Sequence, residues 1–440
     1  MNVDNYGAKG DGKTDDTNAI QNAINAASND KIIFGRNKVY IVNSLYLEKK
    51  AGIVIEGNNA TLKRKIQAEY TTYTNAGIIC IFGSKNIIIK NLNFDGQRKL
   101  QKQKGFNMGV FIGGNKYNYT FFDNNYGENK INKNITISNC KFFNTGMYNE
   151  GLDKFGDGVY AHSTDSLTVK NNYFENMGRW GIACSESFNV LIEKNKVINN
   201  KESTALGGID IENEGDDNTN GSYSRNITIR ENNLIGKSAI NIQTGISEKN
   251  KNGKYHYIKN VIISNNILDL INSGVYGKSG IFISEVDQQN KGVILDEIII
   301  KNNILKSTDA SMVNGIEFYL FGEKMTFSNI KIFGNELYSF QNGIVTNKSV
   351  VPIFRNVYIK DNKIISNGIG QNGDGIATIG AKYNNFVIEN NYIEDYVNIG
   401  IQTLYNYPHQ PNAEVKNNTI KFNKLKRKKN TIELDIMDLM

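Results

Sequence analysis

Short runs of alternating apolar and polar residues recur along the chain, and nine of them lead into an asparagine followed by a second, shorter run. The pattern reads LTVKNNYF around Asn172, VLIEKNKV around Asn195, ITIRENNL around Asn232 and VIISNNIL around Asn266. It returns at Asn303, Asn335, Asn362, Asn391 and Asn418, with spacings of 23, 37, 34, 37, 32, 27, 29 and 27 residues. Alternation with period two excludes helical repeats. Short strands repeated at such intervals predict a stacked solenoid, because no single repeat can bury its apolar face alone. Asn tolerates a left-handed backbone better than other non-glycine residues, so it is expected to turn the chain between two strands. Stacked at one corner of every coil, the Asn side chains are also expected to hydrogen-bond along the axis. The predicted fold class is all-β, a parallel β-helix of about ten or more coils.

A second phrase runs in step with the first. It starts at Asp157 (DGVYAHS), Trp180 (WGIACSE), Gly207 (GGIDIEN), Ser238 (SAINIQT), Ser279 (SGIFISE) and Asn314 (NGIEFYL), and again at Asn342, Asp374 and Ile399. Each coil therefore has one strand near a Gly-Ile pair and another just before the repeated Asn. Gly marks a bend where backbones approach closely. Ile182, Ile209, Ile240, Ile281 and Ile316 are expected to face inward and stack. Two earlier turns, IIIKNLNF and ITISNCKF, carry Leu92 and Cys140 at the Asn position, so the Asn ladder is expected to begin at the third recognisable coil.

Composition changes this picture little. The 440 residues fit one elongated solenoid, and 41 Gly with 3 Pro suit many strands and tight bends. No apolar stretch has membrane-spanning length and no signal-peptide pattern opens the chain. Cys80, Cys140 and Cys184 lie within strand phrases without framework spacing, which predicts buried free thiols. The formal charge of +7 comes almost entirely from Lys421, Lys424, Lys426, Arg427, Lys428 and Lys429. Such a run reads as a solvated tail, and no basic groove suggests nucleic acid.

Function must be sought on the outward side of one strand stack. In the Gly-Ile strands the residues two and four places after the Gly point away from the core. Coil by coil these are Tyr160 and His162, Ala183 and Ser185, Asp210 and Glu212, Asn241 and Gln243, Phe282 and Ser284, then Glu317 and Tyr319. Ionisable residues concentrate around Asp210 and Glu212. Same-face residues at i and i+2 lie roughly 6.5 to 7 Å apart. Inverting glycosidases need carboxyls about 6.5 to 9.5 Å apart and retaining ones about 5 to 5.5 Å. Two close carboxylates separate their pKa values, which favours one acid and one base. With coils about 4.8 Å apart, His162, Arg179, Trp180 and Glu186 fall within reach. His162 would shuttle a proton or bind substrate, Arg179 grip an acidic sugar, and Trp180 stack on a sugar face. The competing readings are an acidic strand kept for solubility, a surface histidine and a packing tryptophan. Inserts at 96–133, 143–156, 213–225, 246–259 and 285–296 are expected to build a binding face, the first of them rich in Phe and Tyr from Phe106 to Tyr126.

The opening YGAKGDGKTDDTNAIQNAI, residues 6 to 24, resembles the start of the pectate-lyase-like superfamily. That superfamily includes polysaccharide hydrolases, lyases and epimerases and the tailspike proteins of bacteriophages. The resemblance implies a right-handed parallel β-helix with an N-terminal capping helix. Asp15, Asp16 and Thr17 would start that helix, and Ala19, Ile20, Ala23, Ile24 and Ala27 would form its apolar stripe. Asp11, Asp15 and Asp16 look like a metal cluster but are expected to serve turns and caps. Three parts are expected: a cap over residues 1–50, the β-helix with its inserts over 51–423, and a basic tail over 424–440.

Asp157-Gly158-Val159 is similar to the Asp-Gly-Ile of polygalacturonases, where that Asp is catalytic. The next coil departs from the family, with Arg179-Trp180 in place of its paired Asp, and its Gly-His-Gly and Arg-Ile-Lys elements are missing. With those departures a true polygalacturonase is not expected. The outward carboxylates point to a glycoside hydrolase acting within a capsular or cell-wall polysaccharide, with Asp210 and Glu212 as acid and base, and the partial resemblance adds Asp157 as catalytic. Tyr160, His162, Arg179, Trp180, Glu186, Asn241, Gln243 and Glu317 would bind substrate. No metal or other cofactor is expected for this chemistry. The alternatives are a lyase or epimerase on a uronic-acid polymer and a non-catalytic glycan binder. A lyase would hold Ca²⁺ through Asp157, Asp210 and Glu212 and use Arg179 as base, although the Asp-Pro-His of mannuronan epimerases is absent. The expected setting is extracellular or virion-associated, with a polysaccharide partner, no nucleic acid and no membrane insertion. A tailspike would imply a homotrimer.

Overall fold

The computed structural model describes residues 1–66, 75–101, 106–113, 132–146, 156–200, 205–215, 223–246, 256–271, 279–285, 293–308, 313–320, 326–348, 353–366, 373–378, 382–396, 399–403 and 413–421. The insert aromatics from Tyr117 to Tyr126 and the segment 424–440 lie outside these residues. Within them the chain winds as a parallel β-helix of three strands per coil. Trp180–Ser185, Phe188–Glu193 and Lys196–Asn199 form one coil, and each joins a different parallel sheet. The sheets contain 12, 13 and 14 strands respectively. The strands before residue 50 already belong to them.

Alternation explains the core. Phe188–Glu193 is buried at every second residue, and Val190 pairs in register with Leu167 and Ile227. Ile182, Ile209, Ile240, Ile281 and Ile316 stack in register and are fully buried, as expected from the sequence. Each contributes about 1.5 to 3 kcal/mol by leaving water. In the 14-stranded sheet Phe94, Phe142 and Phe174 stack face to face with centroids 4.7 Å apart. Cys80, Cys140 and Cys184 are buried free thiols.

The Asn ladder is present from Asn172 to Asn418. Asn232 Nδ2 donates to Asn266 Oδ1 at 2.9 Å, the Asn232 backbone N–H reaches the same oxygen at 3.0 Å, and Asn232 Nδ2 also donates to Ile192 O at 3.0 Å. The same bonds repeat from coil to coil. One expectation is corrected. The left-handed turn residue is the one before the ladder Asn: Asn171, Lys194, Glu231, Asn265, Asn302, Gly334, Asp361, Asn390 and Asn417 all have φ between 54° and 64°. The ladder Asn faces inward instead, because one residue cannot both reverse the backbone and aim its carboxamide along the axis. A second Asn stack, exposed on the 13-stranded sheet, includes Asn189, Asn226 and Asn260, each six residues before a ladder Asn.

The helix Thr17–Ala26 covers the N-terminal end with Ile20, Ala23, Ile24 and Ala27 buried. Its capping differs in detail from expectation. Asp16 makes no cap bond and instead accepts from the N–H groups of Lys9 and Gly10 at 2.7 and 3.0 Å, fixing the Gly-rich loop. Asp15 accepts from Thr17 N, and Asp11 accepts from the N–H groups of Lys13 and Thr14. These carboxylates serve turns. No described helix is long and apolar enough to cross a membrane.

Candidate functional site

The 12-stranded sheet positions the candidate residues in columns. Tyr160, Ala183, Asp210, Asn241, Phe282 and Glu317 form one column in register, and His162, Ser185, Glu212, Gln243, Ser284 and Tyr319 the next. Both point away from the Ile core, as the alternation requires. Asp157, Trp180 and Gly207 stand at the strand starts.

Asp157 is fully buried. Its Oδ1 accepts the Trp180 N–H of the next coil at 2.9 Å. Asp374 does the same for Ile399 N at 3.2 Å, so an Asp before Gly bridges coils at both places. At Asp157 the second oxygen faces a cation: Arg179 Nη1 lies 3.6 Å from Oδ2. The other arm of Arg179 holds Glu212, with Nη2 at 3.0 and 3.4 Å from its two oxygens. Arg179 thus stands between two carboxylates rather than open to a sugar acid. Burial pushes the Asp157 carboxyl up to about 7, with Arg179 and the Trp180 N–H pulling the other way.

Asp210, on the same strand face as Glu212, is 1% exposed. Asn241 Nδ2 donates to its Oδ1 at 2.6 Å and also to Gln243 Oε1 at 3.1 Å. Burial, then the neighbouring Glu212 charge, raise the Asp210 carboxyl well above the ordinary carboxylate range, against the opposing pull of Arg179 and Asn241. The surroundings therefore favour the neutral form of the Asp210 carboxyl. Around it, Asp210 Oδ2, Asn241 Oδ1, Ser185 Oγ and Ser284 Oγ are buried and make no hydrogen bond among the described residues. Native proteins satisfy more than about nine in ten buried polar groups, with ordered water among the partners, so these four atoms are places for water or a polar ligand.

The remaining expected residues divide. His162 and Glu186 are buried together, with Nε2 3.8 Å from Oε2, so His162 is not the surface histidine considered from the sequence. Tyr160 and Trp180 point outward, yet they are enclosed in a second apolar cluster with Cys80, Phe82, Met108 and Phe111. Tyr160 stacks on Phe111 at 5.8 Å, and the Trp180 ring lies over Gly207, where a Cβ would fall 2.0 Å from it. Neither ring is presented to a sugar; both pack, because the outward positions of the earlier coils are themselves apolar. Sequence reasoning missed this second cluster. Its signal is visible in GIICIF and MGVFIG, where apolar residues occupy both faces of a strand. Glu317 shares the Asp210 column three coils away, about 14 Å at the usual strand spacing. Its carboxylate is occupied by Ser279 Oγ and by Asn314 Nδ2 at 2.7 Å.

Among the described residues no group of three or more His, Cys, Asp and Glu is placed to hold a metal ion. A Ca²⁺ held by Asp157, Asp210 and Glu212 would have to displace Arg179, which is paired with two of the three. The same two pairings occupy both arms of the Arg179 guanidinium.

A family model described as the N-terminal extension of bacteriophage endosialidase matches residues 8–51. No curated protein matches the sequence. Among solved structures, a hyperthermoactive exopolygalacturonase from Thermotoga maritima is similar over 96% of this chain and 91% of its own, with a TM-score of 0.58 at 12% identity. The Dettilon tailspike protein is similar over 92% of this chain and 68% of its own, with a TM-score of 0.56 at 15% identity. A mutant tailspike protein of E. coli bacteriophage HK620 covers 97% of this chain and 78% of its own, with a TM-score of 0.55 at 12% identity. The chain has the right-handed parallel β-helix fold of these proteins.

Proposed function

We propose that this chain is a polysaccharide-degrading glycoside hydrolase whose acid and base are Asp210 and Glu212. The observation that carries the reading is the pairing of opposite environments on one strand face. Asp210 is desolvated and raised, whereas Glu212, two residues on, is ion-paired with Arg179. Asp210 would give its proton to the glycosidic oxygen as the bond to the anomeric carbon breaks. Glu212 would take a proton from the attacking water. Roughly 6.5 to 7 Å between i and i+2 positions falls at the lower edge of the inverting range, so inversion is the stereochemical outcome we expect. Arg179 positions Glu212, and Asp157 completes the charge balance around the guanidinium. Asn241 and Gln243 would orient sugar hydroxyls. The two carboxylates are 1% and 5% exposed.

The setting we propose is virion-associated or extracellular, supported by the bacteriophage endosialidase extension matched at residues 8–51 and by the tailspike likeness. A homotrimer belongs to the tailspike form of this reading.

The test is product analysis on bacterial capsular and plant polysaccharides, wild type beside Asp210→Asn and Glu212→Gln. The expected result is new reducing ends without ultraviolet absorbance, released with inverted anomeric configuration by proton NMR. Activity should fall by at least about 100-fold in both variants. Absorbing, unsaturated ends would move the assignment to a lyase. Retention of glycan without cleavage by wild type would leave a non-catalytic binder.

A further inference from the structure

A second site lies on a different face of the solenoid. The outer surface of the 13-stranded sheet carries a depression of about 530 Å³ whose lining includes Arg225, Tyr257, Lys259, Asn260, Asp296 and Glu297. It spans the strands Tyr223–Arg230, His256–Ser264 and Val293–Lys301, which follow along the chain the strands bearing Asp210, Asn241 and Phe282. The depression is therefore level with the carboxylate site along the axis, one face further round.

The exposed Asn stack breaks at this place. Asn226 Nδ2 donates to Asn189 Oδ1 at 2.8 Å and Asn260 Nδ2 to Asn226 Oδ1 at 3.0 Å. The next left-handed position is Glu297, with φ 56°, and a carboxylate has no N–H to continue the chain of amides. Asn329 turns its Nδ2 to Asp296 Oδ1 at 2.8 Å, and the stack resumes beyond it from Asn356 to Asn329 at 3.0 Å. The column thus brings no amide donor to Asn260 Oδ1 from the next coil.

The floor and rim have complementary chemistry. The Tyr257 ring lines the depression, with the Tyr223 ring of the preceding coil tilted at 38° against it, centroids 4.5 Å apart. Arg225 is held over the Phe188 ring at 4.5 Å, and Lys259 Nζ lies 3.1 Å from Asp296 Oδ2 and 3.8 Å from Glu297 Oε1. Two cations and two carboxylates balance, so the rim offers fixed donors and acceptors without net charge. An aromatic face beside such a rim suits a pyranose ring, whose C–H face is apolar and whose edge is hydroxylated. We propose that this depression binds a neutral saccharide, separately from the carboxylate site. The balanced charge disfavours a uronic or sialic acid there. The inference goes beyond the hydrolase reading and does not need it.

The test uses the full chain carrying Asp210→Asn, applied to an array of malto-, cello-, xylo-, manno- and chito-oligosaccharides with acidic glycans as controls. At least one neutral oligosaccharide should bind and lose roughly tenfold in affinity on adding Tyr257→Ala, while Tyr257→Phe stays within about threefold. If Tyr257→Ala does not fold, Asn260→Lys, at an exposed position, should obstruct the depression with the same loss. Neutral glycans bound equally by all variants, a signal from acidic glycans alone, or no binding at all would each overturn the site. Because no turnover is read, failure of the hydrolase assignment leaves this result intact.

Discussion

Asp157 joins two functions in one carboxyl group. Its Oδ1 ties one coil to the next through Trp180 N, as Asp374 does through Ile399 N, and its Oδ2 looks toward Arg179. The same column places Asn342 beside Asp374, where the Asn342 Oδ1 accepts from Asp374 N at 3.0 Å. An amide can therefore do the bridging. The acid adds a titration: its folded pKa is raised from 3.8 to about 7 by burial. Between those values the native state holds a proton that the unfolded chain has released. Stability from this group is complete below about pH 4 and is lost as pH rises through about 7, a change on the order of 4 kcal/mol. Asp210, raised for the same reason, acts in the same direction. Denaturant unfolding at pH 5, 6.5 and 8 should show wild type weakening with pH, and Asp157→Asn should flatten that slope. An unchanged slope in the variant would mean that the carboxyl is ionised throughout. Activity surviving in Asp157→Asn would make this residue a bridge only.

Each ladder Asn acts as part of an element longer than any strand. Asn303 donates to Ile263 O at 2.9 Å and to Asn335 Oδ1 at 3.0 Å, while its Oδ1 accepts both N–H groups that Asn266 offers, at 3.0 and 2.9 Å. Asn303→Ala removes four bonds and strands their buried partners, for an expected cost of about 3 to 5 kcal/mol. Asn418 makes an equivalent set at the far end of the ladder but is partly exposed, so water replaces what Ala removes there. Asn418→Ala should cost about 1 kcal/mol. Unfolding midpoints of the two variants measure the difference, and equal losses would show that the ladder does not depend on burial. Leu92 and Cys140 occupy this position in the earlier coils, so an apolar residue is tolerated there. This element was legible in the sequence, because period-two alternation fixes the inward face and the fixed phrase fixes the register. The exposed stack was equally visible, as Asn189, Asn226 and Asn260 each stand six residues before a ladder Asn. The two columns of the site also run in register from coil to coil, as the repeated phrase predicts. What alternation cannot give is the cover over an outward face, since Tyr160, Trp180 and His162 are enclosed by side-chain contacts with neighbouring coils. For the same reason Arg179 read as a substrate grip when its partners are Asp157 and Glu212.

Three faces around one Ile, Leu and Phe core give the whole molecule a graded stability along its axis. At the N-terminal end the helix Thr17–Ala26 buries Ile20 and Ile24 against the coils. In the middle, the coil of Trp180–Ser185 is closed on its inside by the core and on its outside by the second apolar cluster. The last described strands, Glu414–Lys416 and Thr419–Lys421, are exposed throughout, with Val415 at 44% and Ile420 at 37%. In a solenoid each coil is held only by its neighbours, so opening free energy follows local burial. Hydrogen exchange followed by mass spectrometry should therefore find peptides over 182–198 opening only with global unfolding, at about 5 kcal/mol or more. Peptides over 414–421 should exchange within a few kcal/mol of the unprotected rate. The chemistry belongs to the protected part: Asp210 and Glu212 sit two residues apart on a strand bonded to Trp180–Ser185 on one side and to Ile240–Ile246 on the other. Raised carboxyls need a rigid, dry surrounding, and a frayed coil would let water in and return Asp210 toward its ordinary range. Uniform exchange along the chain would mean that all coils open as one unit. The placement of the carboxylates would then owe nothing to local rigidity.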